Sequence, residues 1–273
     1  MKKILPLLTN RKRKKKVKAV LGEFVTNLRS KCNTQAPHLF YSGSYGRKTE
    51  LADSDVDIFL VMNEHNNEEG INALYDRVQT LLARLYPKNT KRPQEHTIMI
   101  KIKEVCIEVI PALPHSDEWY QIPEGDDSII SCPAVIKQKI KETNKSSSGV
   151  FSQLVRTLKY WKKQNNLRLK SFYIETHVLE WYKARGIKSM RLKELPIYIQ
   201  SILKSLSLSV RQQQSSEYYQ DGSPLTGVCE NEKRHLFKTL DLCTALIDEI
   251  EDFREKGKKE ETVAHWRMIF NMN

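Results

Sequence analysis

Residues 43–57 read Gly-Ser-Tyr-Gly-Arg-Lys-Thr-Glu-Leu-Ala-Asp-Ser-Asp-Val-Asp and run straight into the apolar stretch Ile58-Phe59-Leu60-Val61-Met62. This stretch constrains the fold more than any other part of the chain. Successive strand residues point to opposite faces. A strand starting here therefore packs Val56, Ile58, Leu60 and Met62 on one face of a sheet and puts Asp55 and Asp57 together on the other. Two carboxylates held together repel unless a cation or a proton lies between them. A hard divalent ion with oxygen ligands, Mg²⁺ for preference, suits the pair. Such an ion also needs an anionic co-ligand, which a nucleoside triphosphate supplies. Backbone amides at the Gly43-Ser44 turn, and in the helical turn expected after it, are placed to hold phosphate.

A Gly-Ser turn, a spacer of about ten residues and an Asp-x-Asp strand resemble the signature of the DNA polymerase β-like nucleotidyltransferases. Thr49, five residues after Ser44, is similar to the pattern of their oligoadenylate-synthetase and cGAS/DncV-like branch. That branch has a third carboxylate on a neighbouring strand that closes with Pro-Ala. In Val105-Cys106-Ile107-Glu108-Val109-Ile110-Pro111-Ala112, Glu108 takes that place, where the family usually has Asp. The branch also has a Lys on one helix and a Ser-aromatic pair opening another. Leu158-Lys159-Tyr160-Trp161-Lys162 and Lys170-Ser171-Phe172-Tyr173 resemble these.

The resemblance, to the bacterial cGAS/DncV-like type, implies an α+β fold. A nucleotidyltransferase core of mixed sheet and flanking helices would precede an all-helical lobe, with the active site in the cleft between them. It implies an enzyme joining nucleoside triphosphates into a cyclic di- or trinucleotide second messenger in antiphage signalling. A downstream effector would recognise the product, and a regulatory partner protein is compatible with it. Asp55, Asp57 and Glu108 would be the catalytic metal ligands for two Mg²⁺ ions, with Mn²⁺ as substitute. Gly43, Ser44, Thr49, Lys159 and Ser171 would bind the nucleotide, and Phe172 would stack on a base. Two other functions stay open: a linear oligoadenylate or RNA 3′-end nucleotidyltransferase, and an inactive nucleotide- or RNA-binding module.

Plainer roles exist for each residue. Asp53, Ser54 and Asp55 also suit a polar turn before a strand. Glu108 also suits the exposed side of an alternating strand. Lys159 belongs to a run with Lys162 and Lys163 that solvent could cover. Ser171 is a normal helix N-cap residue, and Phe172 precedes apolar Tyr173 and Ile174 as a core residue would. Tyr45 and Arg47 lie inside the motif and receive no role.

The chain has 273 residues with 40% hydrophobic content, enough for two modest domains. We expect a core over 1–145 and a helical lobe over 146–273. Formal net charge is +12, which suits an anionic ligand. Residues 11–18 hold seven of these basic side chains in eight positions. They read as the solvated face of a helix start, without the interleaved aromatics of a base-stacking surface, so catalysis is expected to need no nucleic acid. Five scattered cysteines, with no Cys-x-x-Cys pair, argue against zinc and for a reducing cytoplasm. Ile4-Leu5-Pro6-Leu7-Leu8 is too short for a signal peptide, and no run reaches membrane-spanning length.

Periodicity predicts a helix over 14–31, strands over 38–41 and 55–62, a helix over 68–86, and strands over 96–102 and 105–110 joined by a tight turn at Lys103-Glu104. Helices follow over 133–143, 149–165, 171–185, 190–205, 232–256 and 260–270. Asn144 or a nearby Ser would cap the second of these. A long polar loop is expected over 207–228.

Overall fold

The computed structural model describes residues 11–31, 38–62, 70–87, 90–91, 97–124, 127–212 and 228–272. The chain divides into two compact units, Thr9–Lys141 and Glu142–Asn273. No helix among the described residues is long and apolar enough to cross a membrane.

The first unit is built on a mixed sheet. Its strands are β1 (His38–Tyr41), β2 (Val56–Val61), β3 (Thr90–Lys91), β4 (Ile98–Ile102), β5 (Val105–Ser116), β6 (Trp119–Glu124) and β7 (Asp127–Ser131). The order is β1-β2-β5-β4-β3, and β6 joins the far part of β5 and carries β7. β2 and β5 run parallel, and the other pairings are antiparallel. Helices α1 (Arg11–Lys31) and α3 (Gly70–Leu85) cover one face, and the five-residue α2 (Gly43–Arg47) joins β1 to β2.

Alternation explains the core. Val56, Ile58 and Leu60 of β2 pack with Ile98 and Ile100 of β4 and with Ile107 and Val109 of β5. Against them lie Val17, Val20, Leu21, Phe24 and Leu28 of α1, at helical spacing, and Ile71, Leu74, Val78 and Leu82 of α3. On the opposite face, Phe59 and Val61 meet Ala112 and Ile122 in a smaller cluster with Phe40 and Tyr120. The Lys103-Glu104 turn forms as expected, with both residues at positive φ (47° and 68°), the backbone twist that a tight hairpin needs. The β6–β7 hairpin is an addition to the expected elements.

The second unit is helical. It holds α5 (Val150–Gln164), α6 (Ser171–Ala184), α7 (Leu195–Arg211), α8 (Glu230–Glu255) and α9 (Lys259–Ile269), and the unit division falls within α4 (Pro133–Ser146). Asn144 and Ser147 cap α5 together: the Ser152 amide donates to Asn144 Oδ1 at 3.0 Å and the Phe151 amide to Ser147 Oγ at 3.1 Å. α7 runs to Arg211, so the start of the expected polar loop is helical, with Leu206 and Val210 buried one turn apart. Residues 213–227 of that expected loop lie outside the described residues.

Candidate active site

The Gly43-Ser44 turn is formed by a chain passing unusually close to a carboxylate. Gly43 has φ +52°, and a Cβ built on it would lie 1.6 Å from Asp57 Oδ2. Only glycine combines that backbone with that proximity. The Ser42 amide donates to the Asp57 carbonyl at 3.0 Å, which ties the turn to β2. Gly46 is a second close approach, its virtual Cβ 2.5 Å from the Tyr41 carbonyl oxygen. The Thr49 amide donates to the Ser44 carbonyl at 2.9 Å, and Thr49 itself is fully buried. Thr49 therefore shapes the motif from within. Ser44 stays half-buried at the start of α2.

Asp55 precedes β2 and Asp57 is its second residue, both on the face opposite Val56 and Ile58. A turn positions them: the Leu51 amide donates to Ser54 Oγ at 2.9 Å and the Ser54 amide to the Leu51 carbonyl at 3.3 Å. The parallel register sets Asp57 directly beside Glu108 of β5. The Asp57 and Glu108 carboxyls are hydrogen-bonded to each other, a contact that one proton between them satisfies. Desolvation, then the Asp57 and Asp55 charges, push Glu108 up to about 7. Desolvation also raises Asp57, against the nearby Arg47 guanidinium. Asp55 is raised by desolvation, offset by a hydrogen bond from the Cys106 thiol and by the Arg13 charge. Three acids thus converge on one sheet face, two of them sharing a proton. Among the described residues no three His, Cys, Asp or Glu side chains stand as a ready-made metal cage.

Sequence reasoning left Arg13, Tyr45 and Arg47 without roles. Arg13 Nη2 donates to the Ser54 carbonyl at 3.1 Å, and its guanidinium also bonds the Tyr45 hydroxyl. Lys14 pairs with the buried Glu50 at 2.5 Å and Lys16 with Glu104 at 2.5 Å. Arg13 and Lys14 thus tie α1 to the loop before Asp55, while the Lys16–Glu104 pair is exposed and the lysine side chains of the run stay at the surface.

The helical unit places the remaining candidates. Lys159 is buried in α5, and its ammonium is paired with Glu175 of α6. Lys162, one turn on, is half-buried and its Nζ donates to Ser171 Oγ at 2.9 Å. Burial pushes the Lys162 pKa down, and the positive charges of Lys159 and Arg168 push it further. Ser171 is the first residue of α6, whose cap position is Lys170, and no side-chain cap bond forms there. The Ser171 hydroxyl serves Lys162 instead. Phe172 is half-buried beside it. The structure thus joins Ser171 to Lys162, a residue that the sequence offered only as a neighbour of Lys159.

Residues 6–144 match the model of the SMODS domain, the Second Messenger Oligonucleotide or Dinucleotide Synthetase domain. The chain belongs to this family. SMODS relatives include the CBASS oligonucleotide cyclase CdnC of Escherichia coli (strain KTE188), 27% identical over 66% of this chain and 64% of that protein. A cyclic AMP-AMP-AMP synthase of Acinetobacter sp. is 28% identical over 49% of this chain and 41% of its own. The SMODS chain therefore spans less than two thirds of the length of these curated relatives. CdnC of E. coli MS115-1 has been solved in complex with HORMA-deltaN (TM-score 0.72, 16% identity, 96% of this chain and 92% of that one). It has also been solved with ATP (TM-score 0.69, 15% identity, 94% and 90%). These likenesses show the shared fold: a mixed sheet with flanking helices followed by a helical part.

Proposed function

We propose that this chain is a nucleotidyltransferase that joins nucleoside triphosphates into a cyclic oligonucleotide signal for antiphage defence. The observation that carries the reading is the convergence of Asp55, Asp57 and Glu108 on one sheet face against the backbone of Gly43. The donor set fits hard divalent cations: three carboxyls, one proton already shared where positive charge is needed. Asp55 and Asp57 would hold two Mg²⁺ ions, or Mn²⁺, and Glu108 would complete one of them. When bound, the ions supply charge neutralisation at the attacking and leaving oxygens.

The chain's own residues do the rest. A ribose 2′- or 3′-hydroxyl attacks the α-phosphate in line and pyrophosphate leaves. Glu108 accepts the hydroxyl proton at its carboxylate. Ser44 and the amides beside it hold the β- and γ-phosphates. Lys162 and Ser171 bind triphosphate oxygens, and Phe172 stacks on a base. Lys162 is preferred to Lys159 because its half-buried ammonium has a neutral hydroxyl for partner beside two other cations, which favours an anion. Thr49 and Lys159 support this machinery structurally.

The names of the relatives support a cyclic product, and the ATP complex of CdnC supports ATP as one substrate. The HORMA complex of that relative supports a regulatory protein partner here. A protein that reads the product would act downstream in the same cytoplasm. Nucleic acid is not needed in this reading, since the exposed basic run at 11–18 carries no interleaved aromatic side chains for stacking bases.

The test is incubation of the purified protein with Mg²⁺ and four labelled triphosphates, followed by phosphatase and mass analysis. A phosphatase-resistant cyclic product is expected, absent in the Asp55→Asn/Asp57→Asn double variant. Near wild-type product from that variant would sink the mechanism. A phosphatase-sensitive chain would reassign the protein to linear synthesis.

A further inference from the structure

We propose that Cys106 is a positioning residue for the reaction, its thiol aiming the Asp55 carboxylate at the cations. The inference rests on the nucleotidyl-transfer reading above and adds a residue to it. Its basis is sheet register. Asp57 lies beside Glu108 across the parallel β2–β5 pair. Two residues back along each chain, the same face brings Asp55 beside Cys106. Across the antiparallel β4–β5 pair, Cys106 is in turn opposite Lys101. Cys106 therefore stands in a row between Asp55 and Lys101, one step from the row that holds Asp57 and Glu108.

The two aspartates are held in different ways. Asp57 lies within the β2 ladder, with Gly43 packed on its Oδ2, Glu108 hydrogen-bonded to it and Arg47 close by. Asp55 precedes the ladder, is exposed, and has no such packing. Its carboxylate takes its hydrogen bond from the Cys106 thiol, a contact within the sheet face itself. A thiol is a weak donor. It can fix the orientation of one carboxylate oxygen without competing strongly with a cation for it. A donor of this kind behind a metal-binding carboxylate typically changes metal affinity about 10- to 100-fold. A single thiol should sit near the lower end.

The test uses an isosteric pair. Cys106→Val and Cys106→Thr have one shape and both suit a strand, but only Thr keeps a donor. Mn²⁺ binding to the full chain is read by electron paramagnetic resonance, without turnover, and the Mg²⁺ concentration for half-maximal product formation is read separately. Cys106→Val should weaken Mn²⁺ binding about tenfold and raise the Mg²⁺ requirement in parallel, with the rate largely recovered at saturating Mg²⁺. Cys106→Thr should stay close to wild type in both. Should the β-branched pair fail to fold, Cys106→Ala and Cys106→Ser make the same comparison. Equal metal binding by the donor and donorless members of either pair overturns the positioning role. A wild-type protein that binds Mn²⁺ at the acids but makes no product would instead overturn the nucleotidyl-transfer reading.

Discussion

Lys159 and Lys162 lie one helical turn apart, and the structure gives them opposite burdens that a pair of substitutions separates. Lys162→Met removes a half-buried ammonium whose hydrogen bond goes to the neutral Ser171 hydroxyl at 2.9 Å. Lys159 and Arg168 crowd it with like charge and hold its pKa below the usual lysine range, after desolvation. An arriving triphosphate oxygen relieves that repulsion and forms a charge-assisted bond. Such bonds contribute about 1.5–3 kcal/mol, or roughly 10- to 150-fold in affinity. An exposed pair would contribute only about 0–1 kcal/mol. Removing the crowding charge offsets any loss of packing, so the melting temperature should hold.

Lys159→Met does the reverse. It leaves the buried Glu175 carboxylate without its cation, and breaking a buried pair costs about 3–5 kcal/mol. For a chain of this size that lowers the melting point by roughly 6–20 °C. Adding Glu175→Leu should restore much of the loss, because an apolar pair replaces an orphaned charge. The assay is titration calorimetry with a non-hydrolysable ATP analogue, beside scanning calorimetry of each variant, with exposed Lys163→Met as the control for general positive charge. Weaker nucleotide binding from Lys159→Met at an unchanged melting point, with Lys162→Met binding normally, would refute the assignment.

Other outcomes follow from the acid cluster and the turn. Glu108 titrates at about 7 in the ion-free fold and at about 4.3 when unfolded. The folded state therefore holds the extra proton between those values. Its stabilisation is complete below the lower value and is lost as pH rises through the upper one. Ion-free melting temperatures should accordingly fall between about pH 5 and pH 8 more steeply for wild type than for Glu108→Gln; parallel curves would remove Glu108 from the shared proton. Gly43→Ala puts a methyl 1.6 Å from Asp57 Oδ2, so product formation should drop to background while circular dichroism stays native. Normal turnover in that variant would mean that the turn is not part of the site. Nuclease-treated enzyme should work at the same rate with or without added DNA or RNA, and many-fold stimulation by either would make the exposed basic run of α1 a nucleic-acid surface.

The Gly-Ser turn and the acids were legible because their constraints are local. The period of two puts Asp55 and Asp57 on one face, and the close approach at Gly43 needs glycine in sequence as much as in space. The α1 and α3 faces were legible for the same reason, since a stripe at helical spacing already says which side is buried. The β6–β7 hairpin was not. The expected strand ended at Ile110, yet β5 runs on through Pro111 and Pro114 to Ser116, and β6 pairs along it with Pro114 opposite Tyr120. Proline is tolerated where its missing donor is not needed, and that depends on which side of the strand is paired.

Charges were the least legible, because a charge is defined by its partner and partners are distant in sequence. Lys159, Lys162 and Lys163 look equivalent along one helix. Glu175 on the next helix makes the first structural, and the hydroxyl of Ser171 leaves the second with charge to offer. Likewise the lysines of the run at 11–18 are solvated as expected, but the sequence did not show that the Ser54 carbonyl takes Arg13 and that Glu50 and Glu104 pair with Lys14 and Lys16. The Arg13 contact bears on the proposed reaction: Arg13 holds the residue next to Asp55, so the start of α1 is tied to the loop that carries a proposed metal-binding carboxylate.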